Sequence, residues 1–271
     1  MRKLLRANFY CLRRSKLLWL CVLGAFVLSA FFMVQLSGGD AELPSLDMAI
    51  LQVFPFLPIL YAAFISLFLG LDYQDGTMRN KLVVGHARGA VYLSALTTGI
   101  VGCFAILLGW FAGSMIGIVR LGWFVAPTKA LLLYAAAILL LTAAEAAILT
   151  LVAMLVTNRA VSSVVSILLI FALLLLSSTL YNALCEPELA ASAVATGNGF
   201  EFGAPQPNAD YVSGVRRVIY QFIIDALPTG QAILLANQEL ARPVLSLCAS
   251  ACIVLLTVAV GMIIFRRKDL K

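Results

Sequence analysis

Charge is scarce in this chain. Of its 271 residues only 12% are Asp, Glu, Lys or Arg, about half the ~25% of an ordinary soluble domain. Histidine is nearly absent: His86 stands alone, with no Cys or Glu cluster beside it. That excludes the two or more neighbouring ligands a metal hydrolase needs. No G-x-x-x-x-G-K-[ST] run occurs, so the chain carries no recognisable phosphate loop for ATP. A G-x-S-x-G elbow is missing as well. Catalytic, cofactor and metal sites are therefore not expected in this chain. The six cysteines make no disulfide framework. Cys21, Cys103, Cys248 and Cys252 lie in hydrophobic segments, Cys11 lies in a basic N-terminus, and Cys185 beside a long loop has no partner there. Cys248 and Cys252 share a helix face, but no further His or Cys completes a metal shell. All six read as small apolar packers.

What is abundant is apolar. Hydrophobic residues make up 62% and the mean hydropathy is +1.01, which excludes a soluble globular enzyme, a disordered tail and a secreted disulfide scaffold. Six segments reach the ~20 residues needed to cross a bilayer core: Leu17–Leu36, Met48–Leu71, Tyr92–Val119, Ala130–Val156, Val161–Tyr181 and Val244–Phe265. Only helices satisfy their own backbone in lipid, so the fold class is an all-α polytopic membrane protein, one transmembrane domain over 1–271. The first segment is too long for a typical signal-peptide core and no clean A-x-A site follows, so it reads as a retained helix.

The net charge of +6 sits beside the apolar segments and so reads as topology, not as a nucleic-acid surface. With the N-terminus inside, the inner segments hold Arg2, Lys3, Arg6, Arg13, Arg14, Lys16, Arg79, Lys81, Arg88, Arg159, Arg266, Arg267, Lys268 and Lys271. The outer ones hold Arg120, Lys129, Arg216, Arg217 and Arg242. The positive-inside rule then places both termini in the cytoplasm of a multi-pass plasma-membrane protein.

Residues 1–16 are amphipathic: Leu5, Phe9 and Leu12 share one face, Arg2, Arg6 and Arg13 another. That suits a helix on an anionic inner membrane surface and equally a plain topogenic signal. The first outer loop, Ser37–Asp47, is short and acidic. The outer segment 182–243 begins loop-like, with Gly197, Gly199, Gly203, Pro205 and Pro207. From Tyr211 to Asn237 it turns helical: Val215, Val218, Ile219, Phe222 and Ile223 recur at helical spacing, Arg216, Arg217, Gln221 and Asp225 mark the polar side, and Pro228-Thr229-Gly230 breaks the run. These pieces are too short to span, and read either as helices dipping into the outer leaflet or as a small cap packed on itself.

Within the spans few residues are polar. Glu145 is the one acid deep in a span, a costly placement that demands helices or water around it. It reads as a substrate or proton site, or as a hydrogen-bonding partner of Thr or Ser on a neighbouring helix. Gln52 in the second span is the other polar candidate for a pathway. Gly109, Gly113 and Gly117 make overlapping G-x-x-x-G steps that allow close helix approach, either within the chain or across a dimer. Pro55 and Pro58 should bend the second span.

The stretch LDYQDGTMRNKLVVGHARGAVYLS, Leu71–Ser94, is the most informative. Asp75-Gly76-Thr77 offers cap-type residues, Met78–Val84 then predicts a short helix carrying Arg79 and Lys81, and Gly85 ends it. His86 reads as a surface or partner-facing residue. A short helix held between two spans can pass motion between a soluble partner and the bundle.

Four pieces in this order resemble the permease subunits of type-2 ABC exporters, the group that includes drug, bacitracin and lantibiotic export or immunity permeases. LLRANFYCLRRSKLLWL is similar to the family's connecting helix and first span, DYQDGTMRNKLVVGHARGAVYLS to its coupling loop (residues 72–91), YQFIIDALPTGQAILL to its outer half-membrane helices, and FRRKDLK to its basic C-terminus. The resemblance implies two permease halves, identical or different, over two separate ATPase subunits that hold ATP and Mg. It places the ATPase-coupling role on Asp75, Thr77, Met78, Arg79, Asn80, Lys81 and Leu82. It implies export of a substrate such as a peptide antibiotic, drug or other small amphiphile, with no enzyme activity in this chain. Two other readings stand beside it: an ion- or proton-coupled carrier centred on Glu145, and a non-transporting membrane partner.

Overall fold

Long runs of Leu, Ala, Val and Phe form helices wherever no proline, glycine pair or polar cluster interrupts them. The computed structural model describes residues 1–36, 44–190, 193–196, 199–202, 205–240 and 242–267. Most of the acidic first outer loop, Gly197, Gly203 and the last four residues of the basic tail lie outside the described residues. Helix α1 (Arg2–Arg14) leads into α2 (Lys16–Leu36). Then follow α3 (Leu46–Val53), a 3-10 turn (Phe54–Phe56) and α4 (Leu57–Gln74), then α5 (Thr77–Val83). Next come α6 (Arg88–Ser114), a second 3-10 turn (Met115–Gly117), α7 (Ile118–Leu121), α8 (Thr128–Leu155) and α9 (Arg159–Cys185). Beyond the loop lie α10 (Gly214–Ala226), α11 (Pro228–Ala236) and α12 (Pro243–Arg267).

Six of these segments are long and apolar enough to cross a membrane: α2, α3 with α4, α6 with α7, α8, α9 and α12. They are not equivalent. About 61% of the span in α3–α4 and in α6 is buried, and 56% in α8. Only 28% is buried in α2, 22% in α9 and 11% in α12. The first three form the centre and the last three the periphery. A rim of exposed Leu, Val and Phe on α2, α9 and α12 is what a chain surrounded by lipid or by other apolar helices requires.

Local chemistry sets the breaks. Pro55 lacks the N–H that would bond back along α3, so the second span is interrupted by a 3-10 turn. Pro58 then sits at the start of α4, where no donor is needed. Asn158 begins α9 by accepting from the N–H groups of Ala160 (2.9 Å) and Val161 (3.3 Å). Ser15, in extended conformation, separates α1 from α2.

Helix α1 lies against α6 by a stripe that keeps Leu12 of the expected face and shifts at the other two positions. Leu4, Asn8 and Leu12 are buried, while Leu5 and Phe9 are only partly so. Asn8 Nδ2 donates to Ser94 Oγ at 2.7 Å. That bond draws a polar residue inward and turns the helix by about one position from the purely apolar register.

The most extensive helix contact joins α2 and α6, and the glycine stripe lies on it. A Cβ at Gly109 would stand 2.6 Å from the Val22 carbonyl oxygen, and one at Gly117 would stand 2.9 Å from the Met33 sulfur. At Gly113 it would collide with the Phe26 carbonyl and the Ser29 hydroxyl. Ser29 Oγ donates to the Trp110 carbonyl at 2.7 Å across the same seam. The stripe therefore serves backbone approach inside the chain, and its face is filled by α2.

The first half of the outer segment departs from the loop expected there. Strands β1 (Leu189–Ala190) and β4 (Gln206–Pro207) pair antiparallel, as do β2 (Ala193–Thr196) and β3 (Gly199–Phe202). The strands are too short to show alternation in the sequence. The second half forms α10 and α11, bent by 94° at Leu227–Pro228. Helix α11 enters the bundle, packing on α3, α8, α9 and α10. Its Thr229 and Gln231 are 0% and 4% exposed.

The cysteines divide. Cys21 and Cys103 are buried, whereas Cys11, Cys185, Cys248 and Cys252 are exposed. The reading of all six as small apolar packers fits the two buried ones, while the other four are exposed on their helices.

Candidate functional site

Helix α5 projects from the junction of α4 and α6 at the end of the bundle that carries α1. The Arg88 guanidinium there reaches the Phe265 carbonyl of α12 at 3.4 Å, so the basic C-terminal stretch shares this end. The start of α5 differs from the expected cap. Gly76 takes the N-cap position with φ 66°, a left-handed conformation glycine adopts without strain, and no side chain caps the helix. Asp75 is exposed and Thr77 turns the other way. Its Oγ1 lies 2.7 Å from Asp72 Oδ1 and 3.0 Å from the Asp72 carbonyl, donating to this residue at the end of α4. Lys81 Nζ pairs with the second carboxylate oxygen of Asp72 at 2.7 Å. One carboxylate thus clamps two successive turns of α5 onto α4. The side chains of Lys81 and Asp72 are 18% and 27% exposed, so Lys81 is tied to Asp72 while it still lines the groove beside α1.

Met78 seats the underside of α5, 1% exposed, in the core. Leu82 packs beside it. What α5 leaves outward is Arg79, Asn80, Val83 and the following Val84, the two valines each 77% exposed. Gly85, at φ 95°, ends the helix. A groove of about 320 Å³ runs between α5 and α1, with Lys3, Ala7, Asn80, Val84 and His86 on its walls. His86 is half-buried there, its backbone N–H bonded to the Lys81 carbonyl at 3.3 Å. Asp72, Val83 and Val84 are not among the coupling residues that the resemblance implies. An acid five and nine positions before a Thr and a Lys was the available signal for the clamp.

The interior of the bundle holds a second set of polar groups. Glu145 is 1% exposed on α8, and neither carboxyl oxygen has a hydrogen-bond partner among the described residues. The hydroxyls of Tyr61, Thr142 and Thr150 are buried and unpartnered on the same terms. Gln52 is in a different setting, exposed on α3, so the two pathway candidates do not share an environment. The Pro228–Gln231 segment is tied in on both sides. Thr229 Oγ1 lies 2.7 Å from Ser177 Oγ and 3.1 Å from the Leu173 carbonyl, both on α9. Gln231 donates to the Asp225 carbonyl at 2.8 Å and accepts from Ser250 Oγ of α12 at 2.7 Å.

The described residues contain no group of three or more metal-ligating side chains that could hold an ion. The arrangement is a helical bundle with an outward-facing surface helix, a buried polar centre and a helix pair inserted from the opposite end. The family model for ABC-2 family transporter protein matches residues 4–177, from α1 through most of α9. No curated protein and no solved structure matches the chain. With six spans and a family match over more than half its length, this multi-pass membrane chain belongs to the ABC-2 family transporter proteins and is the transmembrane component of an ABC transporter.

Proposed function

We propose that the chain is one transmembrane half of an ATP-driven exporter, moved by a separate ATPase subunit that docks on α5. The observation that carries this reading is the clamped α5: Asp72 holds it by Thr77 and Lys81 while Arg79, Asn80, Val83 and Val84 face out. A surface helix that is fastened to two central spans, yet presents an apolar and basic face, suits the transfer of force from a soluble partner. The basic end of the bundle is then cytoplasmic, by the bias of Lys and Arg, and α10–α11 enter from outside. A second copy or a related chain completes the pathway. The cargo is a small amphiphile, a peptide antibiotic or a drug.

The test is purification of the tagged chain from its membrane in mild detergent, with ATPase and transport assays on the complex. An ATPase subunit should copurify. Arg79→Glu should lower transport about tenfold or more, as loss of a charge at an interface does, while the chain still inserts. Unchanged transport in a well-expressed Arg79→Glu variant would defeat the assignment of α5.

The unpartnered carboxyl of Glu145 favours a second reading, a proton-coupled carrier. That reading requires transport driven by a proton gradient without nucleotide, and Glu145→Gln should abolish it.

A further inference from the structure

A pocket of about 460 Å³ lies between α3, α6 and α8, under the connection that links α7 to α8. It is apart from α5, from Glu145 and from the α10–α11 pair. Its volume falls within the ~300–1,000 Å³ of small-molecule sites. The walls are apolar, with Leu131 of α8 among them, but four aromatic residues also contribute: Trp110, Phe111, Phe124 and Tyr134. One carboxylate does too. Asp47, at the start of α3, is 6% exposed. Its Oδ1 accepts from the Val125 N–H at 3.0 Å and its Oδ2 from Ser45 Oγ at 3.4 Å. No cation pairs with it among the described residues. The first turn of α3 and these two hydrogen bonds favour the carboxylate, and a counter-ion in the apolar wall would add to them. Aromatic rings in the same lining can attract a cation through their quadrupoles, most strongly when water is excluded.

The geometry points to a binding site for a single-tailed lipophilic ammonium, its cationic head between Asp47 and the aromatic residues and its tail along the apolar walls. Acidic and aromatic groups together select a cation. An anionic amphiphile would meet Asp47 with like charge, and an uncharged one would leave the carboxylate unpaired. Trp110 lies in the wall, 1% exposed, and its Nε1 has no acceptor among the described residues. It therefore serves as an internal reporter of occupancy. The inference concerns binding alone and stands whether or not α5 meets an ATPase.

The experiment uses the full chain in nanodiscs of phosphatidylethanolamine and phosphatidylglycerol, with Trp19→Phe and Trp123→Phe leaving Trp110 as its single tryptophan. The probes are a brominated alkyltrimethylammonium and the uncharged brominated alcohol of the same chain. Saturable quenching of Trp110 by the ammonium, and not by the alcohol, is expected. Asp47→Asn should weaken it about tenfold, the loss of one charged contact. The asparagine Oδ1 can still accept from Val125, so the local fold is retained. Leu131→Trp, measured by competition with a radiolabelled ammonium, should block the pocket by volume while leaving Asp47 in place. Equal quenching by ammonium and alcohol, or ammonium binding unaffected by both substitutions, would show a lipid-filled crevice and overturn the inference. Loss of saturable quenching when phosphatidylcholine replaces the other lipids would assign the site to a choline phospholipid and overturn the single-tailed ligand.

Discussion

Glycine and glutamate carry the sharpest consequences of single positions in this chain. Gly113 sits where any Cβ meets the backbone of α2, whereas Gly24, on α2 itself, has nothing within 4 Å of that position. Gly113→Ala should therefore cost about 2 kcal/mol through forced separation of the helices. Gly24→Ala should be neutral or slightly stabilising, because alanine is the better helix former. Thermal unfolding of both variants in one detergent checks the contrast. At Glu145 neither oxygen has a partner among the described residues, so Glu145→Gln should change stability by less than about 1 kcal/mol. A collapse of folding in that variant would reveal a cation bound to the carboxyl. The sequence showed Glu145 to be an intramembrane acid and the glycines to be a close-packing stripe. It did not show which helix fills the stripe, because G-x-x-x-G spacing is the same for a partner in the chain and one outside it.

Elements were legible in proportion to their length. The six spans needed only composition and the ~20-residue requirement, and the bent α10–α11 pair was visible in its spacing and its Pro-Thr-Gly break. The pairing of β1 with β4 and of β2 with β3 was not, since two to four residues carry no usable period. The register of α1 also escaped, because one hydrogen bond from Asn8 to Ser94 outweighed the choice between Leu4 and Leu5. The same limit hid the clamp on α5: a sequence shows that Asp72, Thr77 and Lys81 are near one another, not that they converge. A double-mutant cycle tests that convergence. Asp72→Asn and Lys81→Met should each lower stability, with a coupling of about 1 kcal/mol for a partly exposed pair. Independent effects would show that α5 is held by Met78 and the turns alone.

The whole molecule has a fold that could be derived from hydropathy and a direction that rests on charge. The four exposed cysteines make the proposed direction measurable. Cys11 lies in α1 at the basic end, and Cys185 at the end of α9 beside the paired strands. In intact cells a membrane-impermeant maleimide should label Cys185 and spare Cys11. Inverted vesicles should give the opposite pattern. Cys21 and Cys103 should react only after unfolding. Labelling of Cys11 from outside would reverse the topology and separate α5 from any cytoplasmic ATPase.

The seam between α2 and α6 has a mechanical meaning. Carbonyls pressed against glycine backbone, together with the Ser29–Trp110 bond, leave these helices no side-chain cushion on which to slide. Helix α1 is joined to one and hydrogen-bonded to the other, and α5 leads directly into α6. A push on α1 and a push on α5 thus load the same stiff beam. Helices α9 and α12 lie outside that seam, packed chiefly on α4 and α8, so a tilt of either would leave the seam intact.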